Sequence, residues 1–173
     1  LYSGRFISVF PGILSSRMYL KMINSRCQSL IEKQAEPLSS LSWLMGNKYS
    51  DEFHSIWKLL LKNHPHDSIC GVSIDDVHTD MELRFKKVIK LTKSIVTNSI
   101  NKLANLIDTS SIINSKETFI IFNPLPSKRN EVITIKDESG LFKAVDEKGL
   151  SLPAQRGENN LLHILLDNIP AFG

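Results

Sequence analysis

The chain has 173 residues, enough for one ordinary domain or for one small domain with part of another. Its composition, 42% hydrophobic and 23% charged, is that of a globular protein, and a formal net charge of only +3, spread along the chain, argues against nucleic-acid binding. No apolar run approaches the ~20 residues of a membrane helix, and the two cysteines are too few for a secreted disulfide scaffold. We therefore expect a cytoplasmic protein that binds neither nucleic acid nor membrane.

The N-terminus has neither a starting methionine nor the layout of a signal peptide, so we expect the chain to begin inside a larger protein. Further along, the composition changes near residue 110, from helical periodicity to alternating β-branched residues with Asn, Pro and Gly between them. These changes predict a linker from a missing domain at 1–12, a helical domain at 13–110 and the start of a truncated β-domain at 111–173.

Three helices are predicted in the helical domain. The first begins after Ser15 or Ser16, either of which can cap it, and reaches Leu44 with an interruption at Pro37. The second has one apolar face, formed by Phe53, Ile56, Trp57, Leu60 and Leu61.

The third helix is the longest. Ser73 can cap it, Asp75 and Asp76 suit its first turn, and its apolar stripe continues to about Asp108. A helix of that length requires partners along its side, so residues 13–110 predict an antiparallel three-helix bundle.

The last third of the chain predicts strands, at 118–122, 131–135, 141–145 and 161–166. Four short strands make a thin sheet. The fold class is therefore α+β, a three-helix bundle followed by an incomplete antiparallel β-sandwich, and an unpaired strand edge predicts self-association into a homo-oligomer.

The segment NHPHDSICG is the most unusual of the chain and lies between the second and third predicted helices. His64 and His66 are two residues apart, so in an extended segment they point the same way, and Asp67 follows directly. Neutral imidazole is the commonest transition-metal ligand, and a carboxylate beside it can bind metal or sugar hydroxyls. The alternative interpretation is structural, since His and Asp are also common turn formers and caps.

The other candidates have simpler interpretations. His54 is expected in solvent, His78 at the surface or between helices, and His163 in a strand without ligand partners nearby in sequence. Trp43 and Trp57 lie at helical positions among leucines, which is typical of core residues more often than of a sugar-stacking platform.

NHPHDSICG, followed by SIDDVHTDMELRF, resembles the central signature of glycoside hydrolase family 38, the zinc-dependent α-mannosidases, and most closely that of their bacterial branch. LSSRMYLK (14–21) and QAEPLSSLSWL (34–44) resemble the first helix of that family's middle domain. FNPLPSKR (122–129) resembles the opening of its C-terminal β-domain, and DNIPAFG (167–173) a later strand exit there. The resemblance covers nearly the whole chain.

The resemblance implies a retaining α-mannosidase that hydrolyses terminal α-mannosides of a glycan substrate at one zinc ion. It implies that His66 is a zinc ligand, that Asp67 binds mannose hydroxyls and that His64 supports them. The nucleophile, the acid/base and the other zinc ligands belong to the missing N-terminal catalytic domain, so no catalytic residue is assigned within this fragment. We expect the fragment alone to be inactive and to hold zinc weakly or not at all.

Two other functions compete with this one. A helical phosphohydrolase of the HD type also uses an adjacent His-Asp pair, but it requires another histidine well upstream and an aspartate far downstream. A non-catalytic helical interaction module explains the apolar stripes and leaves the composition of NHPHDSICG without a reason.

Overall fold

The computed structural model describes residues 12–110, 112, 115, 117–138, 140 and 143–173. The chain divides into two compact units, one ending at Leu103 and one running from Ala104 to Gly173. Almost all of the helical structure lies in the first unit and the strands lie in the second, so the predicted α+β class is confirmed. The linker predicted at 1–12 lies outside the described residues, except for Gly12.

The helical elements follow the predicted stripes. They are α1 (Met18–Leu30), a π-helical turn (Ile31–Ala35), α2 (Glu36–Leu44), α3 (Phe53–Leu61), α4 (His66–Cys70) and α5 (Asp75–Ala104). The backbone stays helical across both junctions of the π turn, so α1, the π turn and α2 form one rod. None of these helices, nor any other in the described part of the chain, has the length and apolar character needed to cross a membrane.

Contacts along the helices give their directions. They are Arg17 with Asp75, Cys27 with Phe85, Glu36 with Trp57, and Asn24 with His64. From the first pair to the second, the residue number rises along both the rod and α5, so the rod and α5 run parallel. From the third pair to the fourth, the residue number falls along the rod and rises on the α3 side, so α3 runs antiparallel to the rod. This is the up-down-up arrangement that the sequence predicted.

The core of the bundle lies where the rod, α3 and α5 meet. Its side chains are at most 5% exposed: Leu20, Cys27, Ile31, Ala35, Phe53, Ile56, Leu60, Met81, Phe85, Val88 and Ile95. Burying each large aliphatic or aromatic side chain contributes about 1.5–3 kcal/mol. The bundle therefore gives the α3–α5 connection two fixed ends.

Pro37 does not interrupt the first helix, which corrects the prediction. A proline lacks the N–H that would bond to the carbonyl four residues back, and its ring crowds that carbonyl. The carbonyl belongs to Lys33, which lies in the π turn. The wider turn relieves the crowding, and the rod continues to Leu44.

The start of the first helix also differs from the prediction. Arg17 occupies the cap position with φ 45°, in the left-handed region, and makes no side-chain cap. Neither serine caps the helix: the Ser15 hydroxyl donates to the Gly12 carbonyl, and that of Ser16 donates to the Gly71 carbonyl. Local sequence favoured serine as a cap, but tertiary contact with a distant carbonyl takes the Ser16 hydroxyl instead.

Of the two tryptophans predicted as core residues, Trp57 is half-buried and donates from Nε1 to a Glu36 carboxylate oxygen at 2.6 Å. Trp43 is 56% exposed, so its prediction was wrong. It lies in the last turn of α2, beside Leu44 and Met45, which are exposed as well.

The second unit contains an antiparallel sheet of strand order β1-β3-β2. The strands are β1 (Arg129–Lys136), β2 (Ala154–Arg156) and β3 (Leu161–Ile169). The strands predicted at 131–135 and 161–166 are confirmed, and β2 was not predicted. Leu162 and Ile164 alternate as the buried residues of β3, which sets the register of the sheet.

The strand predicted at 118–122 is wrong, because those residues lie outside the strands of the described sheet. Their β-branched and aromatic side chains favour a strand only when a neighbouring strand pairs with them. Of the strand predicted at 141–145, residues 141 and 142 are outside the described part. Val145 forms an isolated bridge with Ser151.

The two thiols are expected to react very differently. Both cysteines are free, Cys27 is buried and Cys70 is half-buried. Burial raises the pKa of the Cys27 thiol to about 11, so at about pH 8 only about one molecule in a thousand carries that thiolate. Alkylation of the native chain, read by peptide mass spectrometry, should modify Cys70 and leave Cys27 intact until denaturant is added. Equal rates at the two thiols would contradict the buried position of Cys27.

Candidate functional site

The NHPHDSICG segment joins α3 to α5 and contains the short helix α4. Pro65 has φ −48° and ψ 136°, and His66 begins α4 directly after it. Gly71 ends α4 in the left-handed region at φ 83°, which glycine adopts without a Cβ clash. The Val72 amide donates to the Asp67 carbonyl at 3.0 Å and closes the turn. The segment is therefore a closed helical turn at the predicted place, not an extended loop.

His66 and Asp67 project from this turn into solvent. Their side chains are 91% and 65% exposed, and the His66 Nε2 atom lies 3.2 Å from the Asp67 Oδ1 atom. Neither group is covered by the bundle. The turn thus presents an imidazole and a carboxylate side by side.

His64 behaves differently from His66. It is half-buried, and its Nε2 atom lies 2.7 Å from the Asn24 Oδ1 atom of α1. Because Asn24 donates from its amide nitrogen to Gln28, its oxygen accepts and the His64 Nε2–H donates. The expectation of two histidines projecting together rested on an extended segment, and His66 lies in a helix instead. His64 is thereby tied to α1, beside the turn.

The start of the first helix contacts the other end of the turn. The Gly71 carbonyl accepts from the Ser16 hydroxyl at 3.1 Å and from the Arg17 Nε–H at 3.3 Å. The Lys21 ammonium donates to the Cys70 carbonyl at 3.2 Å. These contacts have no signal in the sequence, because side chains 49 to 55 residues from their acceptors leave no local pattern. They belong to LSSRMYLK, which the resemblance had singled out without a role.

His78 lies beneath this region and is 2% exposed, which agrees with a place between helices. Within the described residues, neither of its ring nitrogens has a hydrogen-bond partner. Burial lowers the pKa of the His78 ring, and the nearby Arg17 charge lowers it further, against smaller opposite effects of Asp75 and of the Ser68 backbone. The net effect favours the neutral ring.

The other histidines are not part of the turn. His54 is exposed on α3, as expected. His163 pairs across the sheet with the Thr134 hydroxyl at 2.9 Å. Within the part of the chain that the structure describes, no three His, Cys, Asp or Glu side chains are grouped closely enough to hold a metal ion. Any metal at His66 and Asp67 would therefore need ligands from beyond these residues.

Comparison with known families gives one match. Residues 8–103 match the family model described as the alpha mannosidase middle domain. The match includes all of NHPHDSICG and ends at the boundary between the two units of the chain.

Individual proteins are similar over longer or shorter spans. A putative mannosylglycerate hydrolase of Halalkalibacterium halodurans is 43% identical over 104 residues, 59% of this chain and 11% of that protein. A solved structure of a protein in glycosyl hydrolase family 38 from Enterococcus faecalis is 25% identical with a TM-score of 0.75, and the match covers 91% of this chain and 24% of that one.

A second solved structure, an alpha-mannosidase from Enterococcus faecalis V583, is 24% identical with a TM-score of 0.71. That match covers 91% of this chain and 23% of the other, and at this identity it supports the fold alone. The chain thus spans about a tenth of the curated relative and about a quarter of the two solved chains.

Proposed function

Because the chain belongs to the alpha mannosidase middle-domain family of glycoside hydrolase family 38, we propose that it forms part of the active site of a retaining α-mannosidase acting on terminal α-mannosides. The observation that carries the proposal is the exposed His66–Asp67 pair, held by a closed turn between two packed helices. Matched solved chains are about four times as long, which leaves room for a separate catalytic domain.

We assign His66 as one ligand of a zinc ion. The imidazole of His66 is a donor that zinc accepts, so this residue fits the metal as one of its ligands. When bound, zinc would supply a positive charge that binds and orients sugar and carboxylate oxygens. The role of His66 is to hold that charge in place, and its exposure leaves the ring open to a metal shared with another domain.

We assign Asp67 to substrate binding. An ionised carboxylate is an acceptor with two oxygens and can hold two sugar hydroxyls. The Asp67 carbonyl is fixed by the Val72 and Ser73 amides at 3.0 and 3.2 Å, so the residue's backbone cannot turn away from the sugar. Hydroxyl contacts that strengthen as the sugar flattens toward the oxocarbenium-like transition state raise the rate and not only the affinity.

The nucleophile and the acid/base are assigned to the N-terminal catalytic domain of the proposed longer enzyme, and none to this chain. Retention of configuration requires two carboxyl groups about 5–5.5 Å apart on opposite sides of the scissile bond. Asp67 is not one of them, because its role is to bind hydroxyls.

The complete enzyme is expected to hydrolyse an aryl α-mannoside with retention of configuration. Chelation should abolish the rate, and zinc should restore it, because metal charge is part of transition-state stabilisation. Product anomers read early by proton NMR give the stereochemistry, and the 173-residue chain alone serves as the inactive control. An enzyme that cleaves no α-mannoside, or that is indifferent to chelation, would overturn the proposal.

A second substrate is favoured by one comparison. The relative that is 43% identical is described as a putative mannosylglycerate hydrolase, so mannosylglycerate is the natural competitor of a glycan. We propose to compare kcat/KM for mannosylglycerate, an aryl α-mannoside and an α-linked mannobiose on the same preparation. A kcat/KM highest for mannosylglycerate would assign a small anionic mannoside as substrate, whereas one highest for mannobiose would assign a glycan.

A further inference from the structure

Resting on the proposed function, we propose that Arg17, Lys21 and Asn24 are positioning residues for the His66–Asp67 pair. The three lie at i, i+4 and i+7, on one face at the start of the rod, and we call them the α1 clamp. They hydrogen-bond to both ends of the turn that carries the pair. Their role is to set the direction in which the imidazole and the carboxylate leave the bundle.

One end of the turn is held by the two cations. The Lys21 ammonium donates to the Cys70 carbonyl at 3.2 Å and to the Ser16 carbonyl at 2.5 Å, so it bridges the turn and the start of the rod. The Arg17 Nε–H donates to the Gly71 carbonyl at 3.3 Å. The last carbonyls of α4 have no partner within the helix, and cations there are favoured by its dipole. Charge-assisted donors of this kind are stronger than neutral ones.

The other end is held by Asn24. Its side-chain oxygen accepts from the His64 Nε2–H at 2.7 Å, one residue before Pro65. His66 and Asp67 therefore lie between two anchored residues, His64 and Gly71. Both of these residues contact the same face at the start of the rod. Pro65 adds stiffness, because its ring fixes φ. A segment held at both ends has little freedom to rotate its middle.

The approach of the rod to Gly71 is tight, and a side chain at this position would make its neighbours shift. A Cβ built there would lie 3.1 Å from the Arg17 Cβ atom, 3.1 Å from the Ser16 Oγ atom and 3.2 Å from the Ser16 carbonyl oxygen. The clamp thus packs directly against the turn backbone. The Asp67 carbonyl accepts from the amides of the two residues that follow Gly71. These hydrogen bonds link the fixed position of Gly71 to the His66–Asp67 pair.

The left-handed backbone of Arg17 supports the same assignment. A non-glycine residue at φ 45° costs about 1 kcal/mol or more. The Arg17 Nε–H nevertheless donates to the Gly71 carbonyl of the turn. The Arg17 Nη2 atom donates to the Asp75 carboxylate of α5 at 2.6 Å. The ion pair with Asp75 is exposed and stabilises little. The contact with the turn is the better reason for the strained geometry.

The test uses the complete enzyme and two independent variants of the clamp, Lys21→Met and Asn24→Ala. Removing a group bonded directly to a metal ligand weakens metal affinity roughly 10- to 100-fold. Because the clamp acts through the backbone of the turn, we expect the lower end, roughly a 10-fold rise in the zinc Kd of each variant, measured by competition with a chromophoric chelator. We also expect kcat to fall with KM nearly unchanged, since the pair remains but is misdirected. Lys21→Arg keeps a donor and should recover most of both values.

Lys33→Met is the matched control, since Lys33 is an exposed lysine on the same rod, in the π turn. It should leave zinc affinity and kcat unchanged. If Lys21→Met fails to fold, as judged by circular dichroism, Asn24→Ala decides. Folded clamp variants with zinc Kd and kcat within twofold of the parent would overturn the positioning role, because a merely structural contact changes stability alone.

His66→Ala separates this inference from the proposed function. If that variant keeps its zinc and its rate, the proposed function fails, and the positioning role fails with it. If it loses zinc while both clamp variants bind zinc as the parent does, the positioning role alone is wrong.

Discussion

His66→Ala in the complete enzyme is expected to lose bound zinc and about a thousandfold in kcat on an aryl α-mannoside. The factor follows from losing about 4 kcal/mol of charge stabilisation in the transition state. The substitution should not unfold the domain, because the side chain is 91% exposed and its removal leaves no cavity. Zinc content by mass spectrometry and steady-state kinetics on the same preparation provide the measurement.

Two neighbouring variants serve as controls for His66→Ala. Asp67→Asn should keep zinc and still lose rate, because an amide binds sugar hydroxyls less strongly than a carboxylate. His64→Ala should do less than either and about as much as Asn24→Ala, since both of these substitutions remove the same hydrogen bond. If His66→Ala retained full zinc and full rate, the role assigned to the turn would be wrong.

Phe85→Ala is expected to destabilise the helical unit by about 3–5 kcal/mol, the usual cost of a cavity left by a large aromatic residue. Phe85 is fully buried at the centre of the core on α5, with its backbone carbonyl 3.9 Å from the Cys27 sulfur. Urea unfolding followed by tryptophan fluorescence reports this unit, because both tryptophans of the chain, Trp43 and Trp57, belong to it.

Leu83→Ala is the matched control for Phe85→Ala. Leu83 lies on the same helix and is 57% exposed, so its truncation removes little packing and should change the free energy of unfolding by under about 1 kcal/mol. Similar losses for the two variants would contradict the assignment of the α5 face that enters the core.

The helices could be predicted because each carries its own apolar period. Phe53, Ile56 and Leu60 are buried on α3 as their spacing requires, and Met81, Phe85 and Val88 are buried on α5. The start of the rod could not be predicted, because the hydroxyl of Ser16 and the guanidinium of Arg17 donate to a carbonyl over fifty residues away. Local capping rules describe only a helix end that has no such distant partner.

The strands show the same limit. β1 and β3 carry alternating residues and were predicted, but β2 has three exposed residues and no alternating pattern to reveal it. Residues 118–122 have strong β propensity and lie in no described strand. Propensity measures how well a side chain suits a sheet, and pairing depends on which neighbour the topology brings beside it.

At the candidate site, the sequence indicated the right turn, and chemistry alone did not choose between a metal ligand and a turn former. The resemblance made that choice, and the exposure of His66 and Asp67 is compatible with it. The α1 clamp had no sequence signal, because Lys21 and Asn24 read as ordinary polar residues of an amphipathic helix. Only the folded chain brings them to the carbonyl of Cys70 and the ring of His64.

The π turn fixes the rotational phase of the rod. Cys27, Ile31 and Ala35 are all fully buried although they lie four residues apart, and in an unbroken α-helix two such steps drift by about 80° around the axis. The wider turn absorbs that drift. Without it, α2 would be rotated about the rod axis, and Glu36 would face away from Trp57. The π turn, which accommodates a proline, therefore sets which face of α2 packs against the other helices of the bundle and which face is exposed.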